Sequence, residues 1–390
     1  SAALADAADR LKTMNLFGSV EMTPVGDDPQ TRDVLVEVEE ALTLKMFFGA
    51  GITSNSGLVG FINIEQYNFD IGRPPRNWDD ITEGRAFRGA GQYLKLDLAP
   101  GTQQSRFSIE FQEPYLFDQP YTFGASAYYR TKVWPDYDET RGGGWLALGY
   151  RITPELLVRL RGRGEDVEIS DVENPRRRAP EILKYRGHST LTYLGLELVY
   201  DDTDRRVFPS RGRIAQFSYS RAGALGGEFD FDRLSGSYTQ FFTLWEDLLS
   251  RKVILAANIE AGYLNGDDIP FFEKFYAGGL GSVRGFSERG ISPRSGPDQD
   301  PVGGDFSVSG TFELSFPLYE EALRGVVFFD YGSVEESVRI STIRASAGFG
   351  FRLYLPFLGQ APVAVDFGFP ISKTDEDDTT LISFSLGFFR

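Results

Sequence analysis

Many short segments of this chain alternate strictly between apolar and polar side chains, and this feature restricts the fold more than any other. From Ile343 to Leu353, isoleucine, alanine, phenylalanine and leucine take every second position, with arginine, serine and glycine between them. Thr379–Arg390 alternates in the same way. Because successive side chains of a β-strand point to opposite faces, this period predicts strands with one apolar and one polar face. The same split recurs, less regularly, in Arg106–Gln112, Tyr121–Arg130, Leu194–Tyr200, Val253–Tyr263, Phe306–Phe316 and Val363–Phe369.

The polar faces indicate whether the apolar faces meet a protein core or lipid. A soluble sandwich or barrel buries its apolar face and turns its polar face to water. Here the polar faces carry small residues and charges, which suits a wide, wet interior. Aromatic residues make up 14% of the chain and concentrate in the strands, as the interfacial girdles of a membrane barrel require. We therefore predict that the apolar faces contact lipid. The charges on the polar faces include Glu110, Glu197, Glu260, Glu313 and Asp366.

The connections between the strands differ in length. Thr153–Glu155 and Glu246–Ser250 are tight, whereas Asn68–Gly89, Glu165–Gly187 and Asn265–Gly304 are long. Short turns at one end and long loops at the other are typical of an outer-membrane barrel. The fold class predicted for residues 43–390 is therefore all-β, an antiparallel transmembrane barrel of about sixteen strands. Strands are expected to begin near Leu44, Leu58, Gly91, Gln103, Tyr121, Gly143, Glu155, His188, Gly212, Leu234, Lys252, Phe306, Leu323, Ser341, Pro362 and Thr380.

Composition excludes several other classes of protein. No apolar run approaches the roughly 20 residues that a transmembrane helix needs, whereas a membrane-spanning strand needs only about 9–11. The chain has no cysteine, so neither a disulfide framework nor a thiolate metal site is expected. Its formal net charge of −16 argues against a nucleic-acid partner, because phosphate binding requires clustered lysine and arginine.

The first 42 residues follow a different pattern. Apolar residues at helical spacing predict a helix from Ala2 to Met14, and two strand-like runs follow, Val20–Pro24 and Asp33–Glu39. About forty residues bury too little surface for a stable core of their own. We interpret residues 1–42 as the end of a small α/β domain whose beginning lies outside this sequence.

The loop Asn265–Gly304 is long enough to be either functional or disordered. Its middle contains glycines that permit tight turns, and apolar residues with no strand to belong to. Arg284 lies among them and would need an anionic or carbonyl partner if the loop folded inward. The alternative is a solvated surface loop in which this arginine has no specific partner.

The first and last predicted strands must meet for the barrel to close. Closure pairs Leu44–Thr53 with Leu381–Phe389, and Gly49, Gly51 and Gly387 weaken these strands through entropy and lost packing. A seam with few backbone hydrogen bonds would offer unpaired N–H and C=O groups to another strand. Alternatively, the glycines only relieve crowding where the barrel bends. The candidate seam residues are Phe48, Gly49, Gly51, Leu381, Ser383, Phe384, Gly387 and Phe389.

The long loop resembles the signature of a known family. Its sequence at residues 283–286 matches the V-R-G-F motif of the BamA family, the outer-membrane insertases that include TamA and the mitochondrial and chloroplast relatives. Further resemblances follow in the family's order at Glu113–Phe117, Tyr200–Gly212 and Phe328–Gly332. Residues 1–42 resemble the closing helix and two strands of a POTRA domain, the periplasmic module that precedes such barrels. The motif residues are Val283, Arg284, Gly285 and Phe286.

The resemblance implies that the loop folds into the lumen and that Arg284 meets acidic residues on the two following strands. The matching positions are Glu313 and Asp330. Glu313 shares its face with serines and a threonine, whereas the face of Asp330 also carries Val326 and Phe328. The alternative is a set of unconnected luminal charges.

The resemblance also implies a mechanism and partners. The seam would open sideways, a client's terminal strand would pair with the free edge, and the growing sheet would enter the bilayer without a nucleotide or other cofactor. The implied partners are unfolded outer-membrane β-barrel clients, outer-membrane lipids and accessory periplasmic lipoproteins. The barrel would lie in the cell outer membrane of a Gram-negative bacterium, with residues 1–42 in the periplasm. The family often ends on an aromatic residue, whereas this chain ends on Arg390.

Other functions remain as alternatives. A two-partner-secretion or TamA-like barrel would translocate protein, and a passive porin would only conduct solutes. We do not expect an enzyme or a metal protein: His188 is the single histidine, and no G-x-S-x-G motif accompanies it. The basic run Arg176–Arg178 is expected to be solvated, with contact to lipopolysaccharide phosphate as the alternative.

Overall fold

The computed structural model describes residues 4, 17–26, 33–41, 43–82, 86–205, 208–249, 251–320, 322–354 and 363–386. The predicted helix Ala2–Met14 lies outside these residues except for Leu4. Gly387 and Phe389 of the predicted seam lie outside them as well.

Sixteen antiparallel strands form a closed barrel, which confirms the predicted fold class. Fifteen of the sixteen strands begin within three residues of the predicted position. The exception begins at Asp138 rather than near Gly143. The first residues of this strand carry inward-facing charges and lack the apolar alternation that marks the other strands. The strands are β3 (Leu44–Thr53), β4 (Gly57–Phe69), β5 (Gln92–Ala99), β6 (Gln104–Leu116), β7 (Tyr121–Val133), β8 (Asp138–Arg151), β9 (Leu156–Ser170), β10 (Gly187–Asp201), β11 (Gly212–Ala222), β12 (Asp232–Glu246), β13 (Lys252–Asn265), β16 (Phe306–Tyr319), β17 (Leu323–Glu335), β18 (Arg344–Leu353), β19 (Val363–Ser372) and β20 (Ile382–Leu386).

The apolar faces point out of the barrel, as predicted. On β18 Phe349 and Phe351 are 44% and 42% exposed, whereas Ser346 and Arg352, which alternate with them along the strand, are buried on the inner face. Stacked and tilted aromatic rings continue this outer surface from β18 to β19, where Phe349 lies 5.2 Å from Phe367. An outer surface of this kind is stable only against lipid.

The prediction that the long loops share one end is wrong for one connection. Strands run antiparallel, so consecutive connections alternate between the two ends of the barrel. This places Asn68–Gly89 at the same end as the tight turns Thr153–Glu155 and Glu246–Ser250. In this connection, backbone pairing continues beyond the ends of β4 and β5, and Asp70 N donates to Phe87 O at 2.9 Å. The short helix α1 (Trp78–Thr82) lies between these two residues.

A two-stranded sheet precedes the barrel. Its strands are β1 (Phe17–Val25) and β2 (Asp33–Glu40), which include both strand-like runs predicted in this part of the chain. The assignment of this hairpin to a POTRA domain stays a prediction.

The connection between β13 and β16 folds into the barrel rather than away from it. It contains a 3₁₀ turn at Phe271–Glu273 and a small hairpin of β14 (Arg294–Ser295) and β15 (Asp300–Pro301). A second short helix, α2 (Pro180–Lys184), lies in the loop between β9 and β10. Within the described residues, no helix has the length and apolar character needed to cross a bilayer.

Candidate functional site: the inward loop and the strand seam

The V-R-G-F segment of the inward loop lies against the inner faces of β16 to β19. The backbone N and the Nε of Arg284 donate to Oδ2 of Asp330 at 3.0 and 2.8 Å, and its Nη2 donates to Oδ1 at 2.9 Å. Its Nη1 donates to Oε2 of Glu313 at 2.6 Å. The structure therefore brings together the three charged residues that the sequence singled out.

The apolar residues beside Asp330 have a role in this arrangement. The guanidinium carbon of Arg284 lies 3.5 Å from the ring centroid of Phe328, a cation–π contact within a buried site. Val326 is also buried on the inner face. Sequence reasoning treated these apolar side chains as a departure from a polar lumen, but they pack where the loop excludes water.

Two further residues complete the charge cluster, and the sequence did not single them out as partners of Arg284. Arg352 on β18 donates to Oδ1 and Oδ2 of Asp366 on β19 at 2.7 and 3.0 Å, and its Nη2 lies 3.5 Å from Glu313. Asp366 in turn lies 3.7 Å from Nη1 of Arg284. Their inward positions on β18 and β19, the two strands that follow β17 in the barrel, were the signal that could have identified them.

Burial and charge act in opposite directions on Arg284. Burial alone would lower the pKa of its guanidinium, but Asp330, Glu313 and Asp366 outweigh this and raise the pKa above its usual value. The side chain of Asp330 is 0% exposed, so neither partner can gain hydration if the other is removed. The pair therefore holds the loop in one position rather than adding much net stability.

Two glycines allow the loop to approach the barrel wall. Gly285 has a φ of 90°, a left-handed value that favours glycine. Opposite it, a Cβ on Gly368 of β19 would lie 2.5 Å from Gly285 N and 2.9 Å from the carbonyl carbon of Arg284. Val283 and Phe286 on either side are fully buried. The motif thus fits against the barrel wall only because Gly285 and Gly368 both lack a side chain.

We expect Gly368→Ala to displace the loop. The added methyl group would collide with backbone atoms, which cannot rotate away as a flexible side chain can, at a cost of about 1–3 kcal/mol. The measurement is the free energy of unfolding, together with protease cleavage within residues 275–294. Gly236→Ala on β12 is the matched control, because its Cβ would lie 3.6 Å from the nearest atom, an ordinary contact. Equal effects of the two substitutions would contradict the close approach.

A second anchor holds the other half of the inward loop. Arg141 on β8 donates to Glu139, Glu165 and Glu273 at 2.6, 3.0 and 2.5 Å. Its Nη2 also donates to the carbonyl oxygen of Phe272 at 2.7 Å. Tyr193 donates to the other oxygen of Glu273 at 2.7 Å. Sequence reasoning missed this cluster, since none of its members lies in a recognised motif.

The carboxyl of Glu273 is strongly perturbed by this cluster. Burial alone would raise its pKa, but Arg141, Arg163 and Arg233 together with the hydroxyl of Tyr193 lower the pKa to about 2. A carboxyl with a depressed folded pKa stabilises the fold above its unfolded pKa, and this contribution is lost as the pH falls through the folded value.

We therefore expect an acid-sensitive contribution of Glu273 to stability. It should be complete above an unfolded pKa of about 4.5 and should disappear as the pH falls to about 2. Other carboxylates also titrate in this range, so the relevant quantity is the difference in melting temperature between the wild type and Glu273→Gln. That difference should be largest near pH 7 and should shrink below pH 4.5. A constant difference across this range would contradict the assignment.

The basic run Arg176–Arg178 contributes to the same region. Arg177 pairs with Asp298 of the inward loop. Arg178 pairs with Asp136 and, at 2.8 Å, with Asp300 at the start of β15. The expectation of a solvated run is thus wrong for Arg178, whose side chain is 9% exposed, because the inward loop supplies a carboxylate that the sequence could not place near it. Arg177 stays largely exposed, as expected.

The described residues include one part of the seam between β20 and β3. Their one in-register pair is Ser385 with Thr53, and the backbone N of Ser54 donates to Phe384 O at 3.1 Å. Phe384 N donates in turn to Oγ of Ser54 at 2.8 Å.

The pair Ser385 with Thr53 lies within the predicted closure of Leu44–Thr53 against Leu381–Phe389. Leu381 and Ser383 lie beyond the end of β3 and contact β19 instead, where Leu381 O accepts from Gly368 N at 2.9 Å and Ser383 faces Asp366. The reason lies in the inward loop, which bonds to the residues that precede β20. Thr380 N donates to Gly285 O at 3.1 Å.

The first strand carries the glycines on its inner side. A Cβ on Gly49 would lie 2.7 Å from the ring of Phe61, so that ring covers the glycine from within the lumen. Gly51 is buried and opposite Val59 of β4. Phe48 points outward and is 80% exposed. Close aromatic packing, rather than a bend of the barrel, accounts for the glycine at position 49.

A closed barrel with an apolar exterior and an arginine-anchored loop in its lumen defines a class, the outer-membrane β-barrel proteins with an inward plug loop. Residues 86–389 match the Omp85 superfamily domain, and the chain belongs to the Omp85 superfamily. The resemblance to BamA proteins and the outer-membrane location predicted from the sequence are confirmed.

Similar proteins agree with this assignment. The chain is 26% identical over 393 residues to the outer membrane protein assembly factor BamA of Nitratidesulfovibrio vulgaris, covering 98% of this chain and 46% of that protein. It is 24% identical to the sorting and assembly machinery component 50 homolog of Homo sapiens, covering 80% of this chain and 63% of that protein. The crystal structure of BamA from Haemophilus ducreyi lacking POTRA domains 1–3 shares the fold, with a TM-score of 0.71, 21% identity, and coverage of 98% of this chain and 77% of that one. The chain thus spans about half the length of the curated bacterial relative.

Proposed function

We propose that this chain is the membrane part of an outer-membrane assembly factor that folds and inserts β-barrel client proteins. The observation that carries the proposal is the inward loop, which is anchored to β16 and β17 through Arg284 and bonds to the backbone just before β20, the last strand. Its relatives named as assembly factors support the same activity. No nucleotide or other cofactor takes part, and the activity is not enzymatic.

The proposed mechanism begins at the inner edge of the seam between β20 and β3. A strand edge with unpaired backbone groups accepts a further strand, and each added hydrogen bond replaces one with water. A client's terminal strand would pair with β3 or β20, and later strands would add to it. Because lipid offers no hydrogen-bond partners, a client sheet gains most when it enters the bilayer already paired and closes on itself.

The inward loop is proposed to control the seam from within. Its V-R-G-F segment holds three barrel strands through Arg284 and also bonds to residues 378–380, immediately before β20. Ser287 N donates to Asp378 O at 2.9 Å, and Nη2 of Arg294 lies 2.6 Å from the carboxylate of Asp378. Movement of the loop would therefore move the start of the last strand. This connection makes Arg284 a positioning residue for the seam.

Partners follow from this mechanism as proposals. Unfolded outer-membrane β-barrel proteins are the clients, outer-membrane lipids surround the apolar exterior, and accessory periplasmic lipoproteins would bind the periplasmic side. The β1–β2 hairpin is proposed to be the end of a POTRA domain in the periplasm. It precedes β3 directly, so a pull on the hairpin would act on one side of the seam.

The rival function is export of a polypeptide through the lumen, as in two-partner secretion. An exporter would require the inward loop and its two ionic anchors to leave the lumen, whereas an insertase can keep them in place. A depletion experiment tests the proposal: other barrel proteins should disappear from the outer membrane when the gene is switched off. Loss of one secreted protein with normal barrel levels would favour export, and normal levels of both would favour a porin.

A further inference from the structure

One luminal cavity is lined by a cluster of positive charges that no motif of the sequence indicates. It has a volume of about 410 Å³ and borders the 3₁₀ turn of the inward loop. Five arginines and two glutamates line it, so its lining carries a formal charge of +3 in a chain whose net charge is −16. Hydroxyl groups of serine and tyrosine complete the wall. The charged lining residues are Arg130, Arg141, Arg161, Arg163, Arg233, Glu197 and Glu273.

These cations are incompletely neutralised. Arg159 and Arg161 on β9 share a single carboxylate, Glu197, at 3.2 and 3.0 Å. The buried Nε groups of Arg161 and Arg163 have no hydrogen-bond partner within the described residues. The guanidinium of Arg130 forms no ion pair with any residue that the structure describes, yet it lines the cavity. The lining of the cavity therefore carries more positive than negative charge.

Aromatic rings hold the arginines in place. The guanidinium of Arg161 lies 4.6 Å from the ring of Trp145, and that of Arg163 lies 4.4 Å from the ring of Tyr193. A stacked guanidinium keeps its in-plane N–H groups free for an acceptor. These donors match the oxygens of phosphate and carboxylate groups, and arginine binds phosphate with two parallel hydrogen bonds.

We propose that this cavity is a binding site for an oxyanion of the phosphate class. A second cavity of about 700 Å³ shares Arg161, Glu197, Ser218 and Arg233 with it and is otherwise rich in serine, so a phosphate ester has room for its organic part. The bound anion would also compete for the inward loop. Arg163 and Arg233 lie 3.6 and 3.8 Å from Glu273. A bound anion that attracts these arginines would weaken their interaction with Glu273, the loop residue of the second anchor.

Quenching of Trp145 fluorescence tests the site directly. The protein has four tryptophans, so a variant with Trp78, Trp134 and Trp245 replaced by phenylalanine reports from Trp145 alone, which stacks on Arg161 of the cavity lining. With each ion scaled to its quenching of free tryptophan amide, iodide should quench this tryptophan several-fold more strongly than caesium at equal ionic strength, although the net charge of the chain would repel iodide. Inorganic phosphate should protect against iodide, relative to chloride of equal ionic strength, without changing quenching by neutral acrylamide.

Variants separate a binding site from a structural role. Arg130→Gln and Arg161→Gln should each lower iodide quenching about twofold, as expected for the loss of one charge at this range in water. Arg161→Lys should restore most of it, and Arg73→Gln, in the β4–β5 connection outside this cavity, should change nothing. Gel electrophoresis of heated and unheated samples shows whether each variant is folded, because a folded barrel migrates differently from its unfolded chain.

Glycerol 3-phosphate in place of inorganic phosphate distinguishes the two sources of the same group. Stronger protection by the ester assigns the larger cavity to its organic part, and equal protection assigns the site to free phosphate. Equal quenching by iodide and caesium, or no protection by either phosphate, would overturn the proposal. None of these measurements depends on client insertion, so they stand or fall separately from the proposed function.

Discussion

Replacement of Arg284 by glutamine is expected to abolish client assembly and to release the inward loop. The substitution leaves Asp330, whose side chain is 0% exposed, next to Asp366 and Glu313 with one cation removed from the cluster. Breaking a buried ion pair by removing one partner costs about 3–5 kcal/mol. The loop would leave the lumen because its departure lets luminal water reach these carboxylates, which lie on barrel strands. The measurements are the yield of folded client in proteoliposomes and the melting temperature of the barrel.

The double variant Arg284→Gln with Asp330→Asn separates electrostatics from shape. It removes one charge of each sign and keeps the amide and carbonyl groups in reach of each other, so it should recover much of the lost stability. Arg73→Gln serves as the control for removal of an arginine, since its ion pair with Asp70 is solvated. Assembly at the wild-type level in Arg284→Gln would show that the loop anchor has no part in insertion.

The fold was predictable because two different solvents impose it. Lipid outside and water inside select opposite side chains at alternate positions, so β18 could be placed from Phe349 and Phe351 on one face and Arg344 and Arg352 on the other. The prediction failed at the start of β8, where Glu139 and Arg141 face inward before the apolar alternation begins. There the ion network, not lipid, determines the strand.

The candidate site was predictable only in part, since it depends on contacts distant in sequence. The motif resemblance placed Arg284 near Glu313 and Asp330, but nothing local to β18 and β19 linked Arg352 and Asp366 to a loop more than sixty residues earlier. The same applies to Glu273 and Arg141. The depth to which the loop enters the lumen determines which charges pair there. That depth depends on all the strands that line the lumen, so it cannot be read from a local segment.

A disulfide across the seam is expected to stop client insertion completely and reversibly. Thr53 and Ser385 are opposite each other in register and both are buried on the inner side. Paired residues on antiparallel strands have Cα atoms about 4.5–5.5 Å apart, within the range that a disulfide spans. The chain has no cysteine, so the pair Thr53→Cys with Ser385→Cys forms the sole bond. Insertion should fall to background in oxidised protein and return on reduction, measured as folded client in proteoliposomes.

The matched control places the same bond elsewhere in the wall. Ser218 and Ser235 face each other on β11 and β12, with their hydroxyl oxygens 2.7 Å apart, in a strand pair that is matched over ten residues. A disulfide between Ser218→Cys and Ser235→Cys locks a junction that the mechanism never opens, so insertion should continue. A porin or a through-lumen exporter would tolerate both disulfides, because neither needs β3 and β20 to part. Equal activity of the oxidised seam variant and this control would therefore exclude insertion through the seam and leave the lumen as the route.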